Sequence, residues 1–360
     1  MIEKLMNTDE IVIYGAGTMG NAVKKCLEDA PYHIKIRAFL VSSMQNNPDQ
    51  IDGIPVLDLA HASICRKLPI LIALHERYMG GALKQLREAG FSNRQLYPIS
   101  FDSDEWSDIR GNWFLHKSSV YEENYLDLNE ALTQKLQVYV ACHVADHMLK
   151  EEIPKRSFEI PIQAGAALTD RRIAAVLDNQ GENISEKNRK YCELTALYWI
   201  WKHGKAGYLG LSHYRRRFDI SEEMAAKLLE SDIDVVVTVP VLNLKGVKQQ
   251  YCSDHMEMDW NICMKTVGEL FPQYWDAAAK IEKGNYYYAY NMLIARREIL
   301  GQYCEWLFPI LFQCEKEIGE RNDPYQERYI GFLAERLMTI FLEQHRKEYK
   351  LAVAKKHFIT

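Results

Sequence analysis

The sequence has 360 residues, of which 48% are hydrophobic and 26% are charged, so it can bury a large core and is long enough for two domains. The formal net charge of −5 at pH 7 argues against a general nucleic-acid-binding protein, which usually carries a basic surface field. The eight cysteines form no C-x-x-C pair, and no apolar run approaches the roughly 20 residues of a membrane-spanning helix. These features predict reduced thiols in a soluble, cytoplasmic protein without a nucleic-acid partner.

Residues 1–105 alternate strand patterns with helix patterns. Strands are predicted at IVIYGA, IKIRAFLVSS, PILIAL and QLYPIS, and helices at MGNAVKKCLEDA and GGALKQLREAG. Alternation of this kind is typical of an α/β fold with a parallel sheet, so we expect an N-terminal Rossmann-like domain. The acidic stretch FDSDEWSDIRGN predicts the beginning of a linker, which we place at 106–134.

Gly15, Gly17 and Gly20 follow the first strand in the spacing G-x-G-x-x-G, the pattern of a strand that turns into a phosphate-binding helix N-terminus. NAD-binding forms usually place an acidic residue about 20 positions later, but the second strand here ends in Ser42 and Ser43. The glycines therefore indicate either a tight turn without a ligand or an N-terminal nucleotide or nucleotide-sugar site. An NAD(P)-dependent oxidoreductase remains an alternative.

A second α/β domain is predicted over 135–360. The helix after Ser185, its predicted N-cap, carries aromatic and apolar residues at helical spacing and ends at Gly204. Further strands are predicted at LQVYVACHV, GYLGLSHY, DIDVVVTVP and NYYYAYNMLIARR, and further helices at EILGQYCEWLFPILFQCEKEI and RYIGFLAERLMTIFLEQHRK.

The segment LSHYRRRFD places His213 and three arginines, Arg215 to Arg217, directly after an apolar strand. Ligands of open α/β sheets lie outside the carboxyl ends of the strands, and guanidinium groups suit a dense anion such as a diphosphate. The alternative is a solvated basic turn that pairs with nearby acids such as Asp219 and Glu222.

The segment DNQGENISEKN is rich in short polar side chains just before the helix predicted after Ser185. Its side chains can hydrogen-bond a base and a ribose, and a helix N-terminus favours an anion. The alternative is a well-capped loop. The candidate donor-binding residues of this segment are Asp178, Asn179, Asn183, Lys187 and Asn188.

These segments, from VYVACHVAD through DNQGENISEKNRKYCELTALYWIWK and YLGLSHYRRRF to RYIGFLAERLMTIFL, resemble a bacterial capsular and exopolysaccharide glycosyltransferase family over about residues 136–345. The resemblance implies a GT-A-like α/β domain that uses a nucleotide-sugar donor. It places His213, Tyr214, Arg215 and Arg216 near the diphosphate. It implies that the nucleotide side is lined by Asp178, Gly181, Asn183, Lys187 and Asn188. The first strand departs from the family pattern, because the sequence reads His143-Val144 where the family tends to have His-Lys; only His143 is retained as a donor-binding candidate.

Many GT-A enzymes hold a divalent metal with an Asp-x-Asp motif, but the motif at 232–234 precedes a later strand. We expect cationic side chains to replace or assist the metal, and Mg²⁺ or Mn²⁺ as a cofactor stays open. An inverting transfer needs a base for the acceptor hydroxyl. The candidates are Asp254, His255, Asp259 and Glu335, of which His255 and Asp259 would share a helix face and Glu335 alternatively forms a structural pair with Arg336.

The sequence thus predicts a hexosyltransferase that moves a sugar from a UDP-sugar to a glycan or lipid-linked acceptor in the biosynthesis of capsule, exopolysaccharide or O-antigen. The alternatives are the oxidoreductase and a non-catalytic nucleotide-sugar-binding protein. The basic C-terminal segment HRKEYKLAVAKKHFIT indicates either a solvated tail or peripheral contact with anionic lipid at the inner membrane face.

Overall fold

The computed structural model describes residues 8–65, 67–117, 136–151 and 156–359. The chain divides into two compact units, Met1–Glu122 and Glu123–Thr360. Each unit has its own sheet, and both are mixed α/β structures in agreement with the predicted fold class. None of the helices in the described part of the chain combines the length and the hydropathy that a membrane crossing requires.

The first unit is built on a six-stranded sheet in the order β3-β4-β2-β1-β5-β6. All neighbouring pairs are parallel except β3 with β4. The central strands are buried along most of their length, as a parallel sheet with two covered faces requires. The strands are β1 (Glu10–Tyr14), β2 (Lys35–Val41), β3 (Gln50–Ile51), β4 (Ile54–Asp58), β5 (Ile70–Ala73) and β6 (Leu96–Ile99).

Three helices of the first unit are described: α1 (Thr18–Glu28), α2 (Glu76–Glu88) and α3 (Asp104–Lys117). Helix α3 corrects the expectation of a linker from residue 106. Its residues Trp106, Ile109 and Trp113 recur at helical spacing and are buried, and Trp113 Nε1 donates to Asp29 Oδ2 at 3.1 Å. The acidic first turn of this helix concealed the apolar periodicity. The remainder of the predicted linker, 118–134, lies outside the described residues.

The second unit contains a nine-stranded sheet, whose main path runs β16-β12-β15-β10-β7-β8-β9, with β11 and β17 attached beside β10. Strands β10, β7 and β8 are mutually parallel neighbours, and β15 is antiparallel to β10. A separate pair is formed by β13 and β14. The strands are β7 (Leu136–Cys142), β8 (Glu159–Gln163), β9 (Val176–Leu177), β10 (Tyr208–His213), β11 (Arg216–Phe218), β12 (Val235–Thr238), β13 (Val241–Leu242), β14 (Tyr286–Tyr287), β15 (Leu293–Arg296), β16 (Leu351–Ala354) and β17 (Lys356–Phe358).

The helices of this unit contribute much of its buried apolar surface, above all the two long ones near its C-terminal end. They are α4 (Asn188–Tyr191), α5 (Leu194–His203), α6 (Glu222–Glu230), α7 (Val247–Asp254), α8 (Glu257–Leu270), α9 (Trp275–Lys283), α10 (Arg297–Ile318) and α11 (Tyr329–Gln344).

The helix predicted from Ser185 is interrupted. Residues Ser185–Lys187 form a 3₁₀ turn, α4 is a single turn, and Cys192 adopts φ 50° before α5 begins. The hydroxyl of Ser185 donates to Asp178 instead of capping a helix. Gly204 does follow the last helical residue, as predicted.

Two other predictions of regular structure are wrong in detail. The single strand predicted at NYYYAYNMLIARR is split into β14 and β15, because Tyr290 and Asn291 have φ values of 71° and 51°. The C-terminal segment is no solvated tail: β16 pairs with β12 and β17 pairs with β11, so the apolar run LAVA and the strand that follows it complete the sheet. Pairing between strands that are far apart in the sequence cannot be predicted from local residue propensities.

Candidate functional site

A cleft of about 590 Å³ lies where the three parallel strands β7, β8 and β10 end. The segments that follow these strands, together with α4 and the approach to α11, form its walls. This is the edge at which open α/β sheets bind ligands. The polar and charged residues of the lining are His143, Asp146, Thr169, Asn188, Arg189, Glu193, His213, Tyr214, Arg216 and Arg328.

His213 is the last residue of β10 and is held from the neighbouring turn. Its Nε2 lies 2.6 Å from the carbonyl oxygen of Tyr290. Because a carbonyl only accepts hydrogen bonds, Nε2 carries the proton and Nδ1 is the unprotonated nitrogen. Burial lowers the pKa of His213, with the carboxylate of Glu193 acting in the opposite direction, so the imidazole is neutral at pH 7.

Three arginines line the cleft, and two of them, Arg216 and Arg328, come from distant parts of the unit. Arg216 begins β11, and its guanidinium lies 4.8 Å from the ring centroid of Tyr290. Arg328 precedes α11, and its Nε donates to Cys192 Sγ at 3.2 Å. Planar, permanently charged groups of this kind match the oxygens of a diphosphate.

The structure separates the residues that were predicted to bind the diphosphate. His213, Tyr214 and Arg216 line the cleft, whereas Arg215 is not among its lining residues. The Arg215 guanidinium packs 4.8 Å from the ring centroid of Phe358, and its Nε donates to the carbonyl of Ile359 at 3.4 Å. Arg215 lies in the turn between β10 and β11, whereas Arg216 is the first residue of β11.

The predicted nucleotide-binding residues are also divided. His143 and Asn188 line the cleft. Asp178 is fully buried and accepts hydrogen bonds from the backbone N–H groups of Gly165 (2.8 Å) and Ala166 (2.9 Å), so it organises the loop after β8.

Asn183 and Lys187 do not line the cleft either. The Asn183 amide donates to the carbonyl of Gly181 at 2.7 Å and stabilises its own loop, while Lys187 Nζ forms an ion pair with Glu315 at 2.8 Å. Gly181 and Asn179 belong to the same loop and are likewise absent from the lining. Within this segment Asn188 lines the cleft, whereas Asp178 and Asn183 support the loop, which was the alternative expectation.

The four predicted catalytic candidates do not line the cleft. Asp254 is exposed at the end of α7, where it accepts a hydrogen bond from Ser253 Oγ at 3.1 Å. Asp259 lies in α8, is fully buried and is paired with Arg321. His255 is located between α7 and α8, so it does not share a helix face with Asp259 as expected.

Glu335 lies in α11 behind the cleft. Its Oε1 accepts the backbone N–H of Tyr290 at 2.7 Å, and its Oε2 pairs with Arg336 Nη1 at 2.6 Å. Burial raises the pKa of Glu335, and the neighbouring Glu193 carboxylate adds to this increase. The expected alternative, a structural pair with Arg336, therefore describes its contacts.

Asp146, Glu193 and Arg328 line the cleft but were missed in the sequence. Asp146 follows His143 by three residues, and its Oδ2 accepts the N–H of His143 at 2.6 Å. An acidic residue just beyond the end of a strand was the sequence signal that could have identified it. Glu193 and Arg328 carried no such signal, because their positions depend on the break at Cys192 and on the fold of a distant segment.

The glycine-rich turn of the first unit borders a separate cavity of about 460 Å³ at the carboxyl ends of β1, β2 and β5. Gly15 and Gly17 belong to its lining, whereas Gly20 does not. Gly15 has φ +115°, and a Cβ there would lie 2.8 Å from the carbonyl oxygen of Ala73. A Cβ at Gly20 would overlap the carbonyl oxygen of Gly15. Two of the three glycines are thus required by the close packing of the turn.

Among the residues that the structure describes, no group of three or more His, Cys, Asp or Glu side chains is arranged to hold a metal ion. The Asp-x-Asp motif at 232–234 is engaged elsewhere. Asp232 pairs with Lys350, and Asp234 pairs with Arg296 at 3.0 Å ahead of β12. These carboxylates therefore do not fit the role of donor-metal ligands.

Comparisons with known proteins agree with this architecture. A structural comparison finds the apo structure of the bifunctional glycosyltransferase WbbM, with a TM-score of 0.56 and 25% sequence identity over 63% of this chain. The match spans 45% of the WbbM chain, so this protein corresponds to less than half of that one. The matched part of the chain thus has a glycosyltransferase-like fold.

The sequence comparisons give a family without an assigned activity. No curated protein sequence matches this chain. The family described as a domain of unknown function, DUF4422, matches residues 137–347 and so includes every strand that ends at the cleft. Because this match extends over more than half of the sequence, the chain belongs to the DUF4422 family.

Proposed function

We propose that the protein is a hexosyltransferase that moves a sugar from a nucleoside-diphosphate donor, a UDP-sugar, to a glycan acceptor of a bacterial surface polysaccharide such as capsule, exopolysaccharide or O-antigen. The observation that carries the proposal is the convergence of Arg216, Arg328 and neutral His213 at the ends of three parallel strands. The likeness to WbbM supports the same class of reaction.

The residues that line the cleft have two proposed roles. Arg216 and Arg328 would bind the diphosphate and stabilise the negative charge that develops on it as it leaves, where differential binding accelerates the reaction. Asn188 and His143 would contact the nucleoside or the sugar in a GT-A-like arrangement.

We infer that cationic side chains, rather than an Asp-x-Asp metal site, neutralise the diphosphate. The support is the ion pairing of Asp232 and Asp234 outside the cleft, together with the guanidinium groups of Arg216 and Arg328 inside it. The acceptor is proposed to be a glycan, including a lipid-linked saccharide at the inner membrane face, on the strength of the sequence resemblance.

A thermal-shift screen of the full chain against UDP, UDP-sugars, NAD and NADP tests the donor class. A ligand present at about 100 times its Kd stabilises the folded state by about 2.7 kcal/mol, which corresponds to roughly 5 °C or more for a unit of this size. We expect UDP and at least one UDP-sugar to produce this shift. Stabilisation by NADP alone would contradict the proposal and favour an oxidoreductase, and tight UDP-sugar binding without transfer would favour a binding protein.

A further inference from the structure

Two carboxylates line the cleft, and they differ in their surroundings. Asp146 is engaged by its own turn, because it accepts the N–H of His143 at 2.6 Å and its backbone N–H donates to the carbonyl of His143 at 2.9 Å. Glu193 precedes α5, and its Oε1 accepts one hydrogen bond from Asn291 Nδ2 at 2.7 Å. A carboxylate has about four lone-pair sites, so both side chains retain capacity to accept a proton, and they differ in that Glu193 is held by a residue distant in the sequence.

The backbone around Glu193 is strained. In the described part of the second unit, the non-glycine residues with positive φ are Cys192 (50°), Tyr290 (71°) and Asn291 (51°). Cys192 lines the cleft beside Glu193, and the other two form the turn that enters β15. Such conformations cost of order 1–3 kcal/mol each and cluster at functional sites, where the surrounding structure holds them.

The Tyr290-Asn291 turn connects three side chains at or behind the cleft. The carbonyl of Tyr290 accepts His213 Nε2–H at 2.6 Å, and its N–H donates to Glu335 at 2.7 Å. The Asn291 amide donates both to Glu193 and, at 3.2 Å, to the carbonyl of Gly331. Because a carboxylate and a carbonyl only accept hydrogen bonds, the Asn291 nitrogen must face them. The orientation of the Glu193 carboxylate is thereby fixed.

We propose that Glu193 is the general base of the transfer and that Asn291 positions it; this assignment rests on the proposed function. The oxygen of the acceptor hydroxyl forms a bond to the anomeric carbon of the donor while the bond from that carbon to the diphosphate oxygen breaks. The electron pair of the broken bond leaves with the diphosphate, towards Arg216 and Arg328. The hydroxyl proton passes to Glu193, and the anomeric configuration is inverted.

The other ionisable groups nearby are less suited to this step. His213 has an unprotonated Nδ1, but burial lowers its pKa and so disfavours the imidazolium that would form when it accepts a proton. Glu335 is held by Arg336 and by the backbone of Tyr290. Glu193 is the carboxylate that both faces the cleft and is oriented from outside its own turn.

The test compares Glu193→Gln with Glu269→Gln, which changes an exposed glutamate of α8. The probes are UDP, for binding by calorimetry, and a UDP-sugar panel of galactopyranose, galactofuranose, glucose and N-acetylglucosamine, for UDP release with water or a saccharide acceptor. We expect Glu193→Gln to bind UDP with a Kd within about 3-fold of the wild type and to lose about 100-fold or more in rate. Glu269→Gln should match the wild type in both measurements.

The positioning role of Asn291 is tested with Asn291→Gly, because glycine adopts a positive φ without strain and lacks the side chain that holds Glu193. We expect a lower kcat with an unchanged UDP Kd, whereas a purely structural residue would impair both together. The configuration of the product, determined by NMR, should be opposite to that of the donor.

The outcomes separate the two proposals. A wild-type protein that neither binds UDP nor releases it from any donor overturns the glycosyltransferase function and this assignment with it. An active wild type whose Glu193→Gln variant keeps more than a tenth of the rate, or whose product retains the donor configuration, overturns the role of Glu193 alone.

Discussion

The glycine-rich turn of the first unit and the charged cleft of the second both lie at the carboxyl ends of parallel strands, but their residues have different physical reasons to be there. Gly15 and Gly20 are needed because the backbone of the turn packs against Ala73 and against itself. Arg216 packs on the rings of Tyr290 and Phe358, and Arg328 donates to Cys192 Sγ and shares the cleft lining with Glu193, so contacts within the protein hold both cations at the cleft. A motif with a familiar spacing is thus explained at two of its positions by packing, whereas the less familiar cluster combines packing contacts with charges that suit an anionic ligand.

The largest expected effect concerns the cleft. Replacing both guanidinium groups, in Arg216→Ala with Arg328→Ala, removes two charge-assisted contacts worth about 1.5–3 kcal/mol each. We expect the affinity for UDP, measured by calorimetry, to fall by roughly 10²- to 10⁴-fold.

The matched control is Lys265→Ala, since Lys265 is an exposed cation of α8 whose ion-pair partners, Glu269 and Glu317, lie outside the cleft lining. It should bind UDP like the wild type. Unchanged UDP affinity in the double variant would show that Arg216 and Arg328 do not bind the diphosphate. The cleft and the glycine-rich turn would then no longer differ in this respect.

The glycine turn can be examined with two single substitutions. Gly20→Ala forces a methyl group onto the Gly15 carbonyl and should destabilise the first unit by about 1–3 kcal/mol in urea unfolding. Gly17→Ala meets no atom within 4 Å, so we expect a loss below about 1 kcal/mol, the usual difference between these residues at a helix N-cap.

The same variants bear on a ligand at the turn. If packing is the whole reason for the motif, NADP and UDP-sugars will shift the melting temperature of Gly17→Ala as they shift that of the wild type. A ligand-induced shift that Gly17→Ala abolishes would instead show that the first cavity binds a phosphate group. Packing would then not be the whole reason for the glycine motif.

A further expected effect is the acid sensitivity of the second unit. Burial between Phe332 and Tyr325 lowers the pKa of His255 to about 4, and the nearby Arg336 contributes in the same direction. As the pH falls below about 6.5, the unfolded chain takes up a proton that the folded state refuses, so stability decreases between about pH 6.5 and pH 4.

From pH 7 to pH 5 this histidine should lower the free energy of unfolding by about 2 kcal/mol. His255→Phe, which preserves the stacking on Phe332, should therefore lose about 2 kcal/mol less than the wild type over that interval. Urea unfolding followed by tryptophan fluorescence at both pH values measures the difference. Equal losses in the two proteins would contradict the buried, neutral state of His255.

Much of the fold was predictable from local patterns. The alternation of apolar strands with helices anticipated β1, β2, β5, β6, β7, β10 and β12, as well as the long helices α10 and α11. Helix α3 escaped prediction because its first turn is acidic, and the split between β14 and β15 escaped because left-handed Tyr290 and Asn291 have no sequence signal comparable to glycine.

For the candidate site, the sequence determined that polar residues follow the strands β7 and β10, since strand ends and loop polarity are properties of consecutive residues. His143, Asn188, His213, Tyr214 and Arg216 were found in this way. Only the tertiary structure decided that Asp178 supports a loop, that Arg215 turns away, and that Glu193 and Arg328 enter the cleft. The physical reason is that these side chains are oriented by partners distant in the chain: Asn291 holds Glu193 across 98 residues, and Arg328 reaches Cys192 across 136.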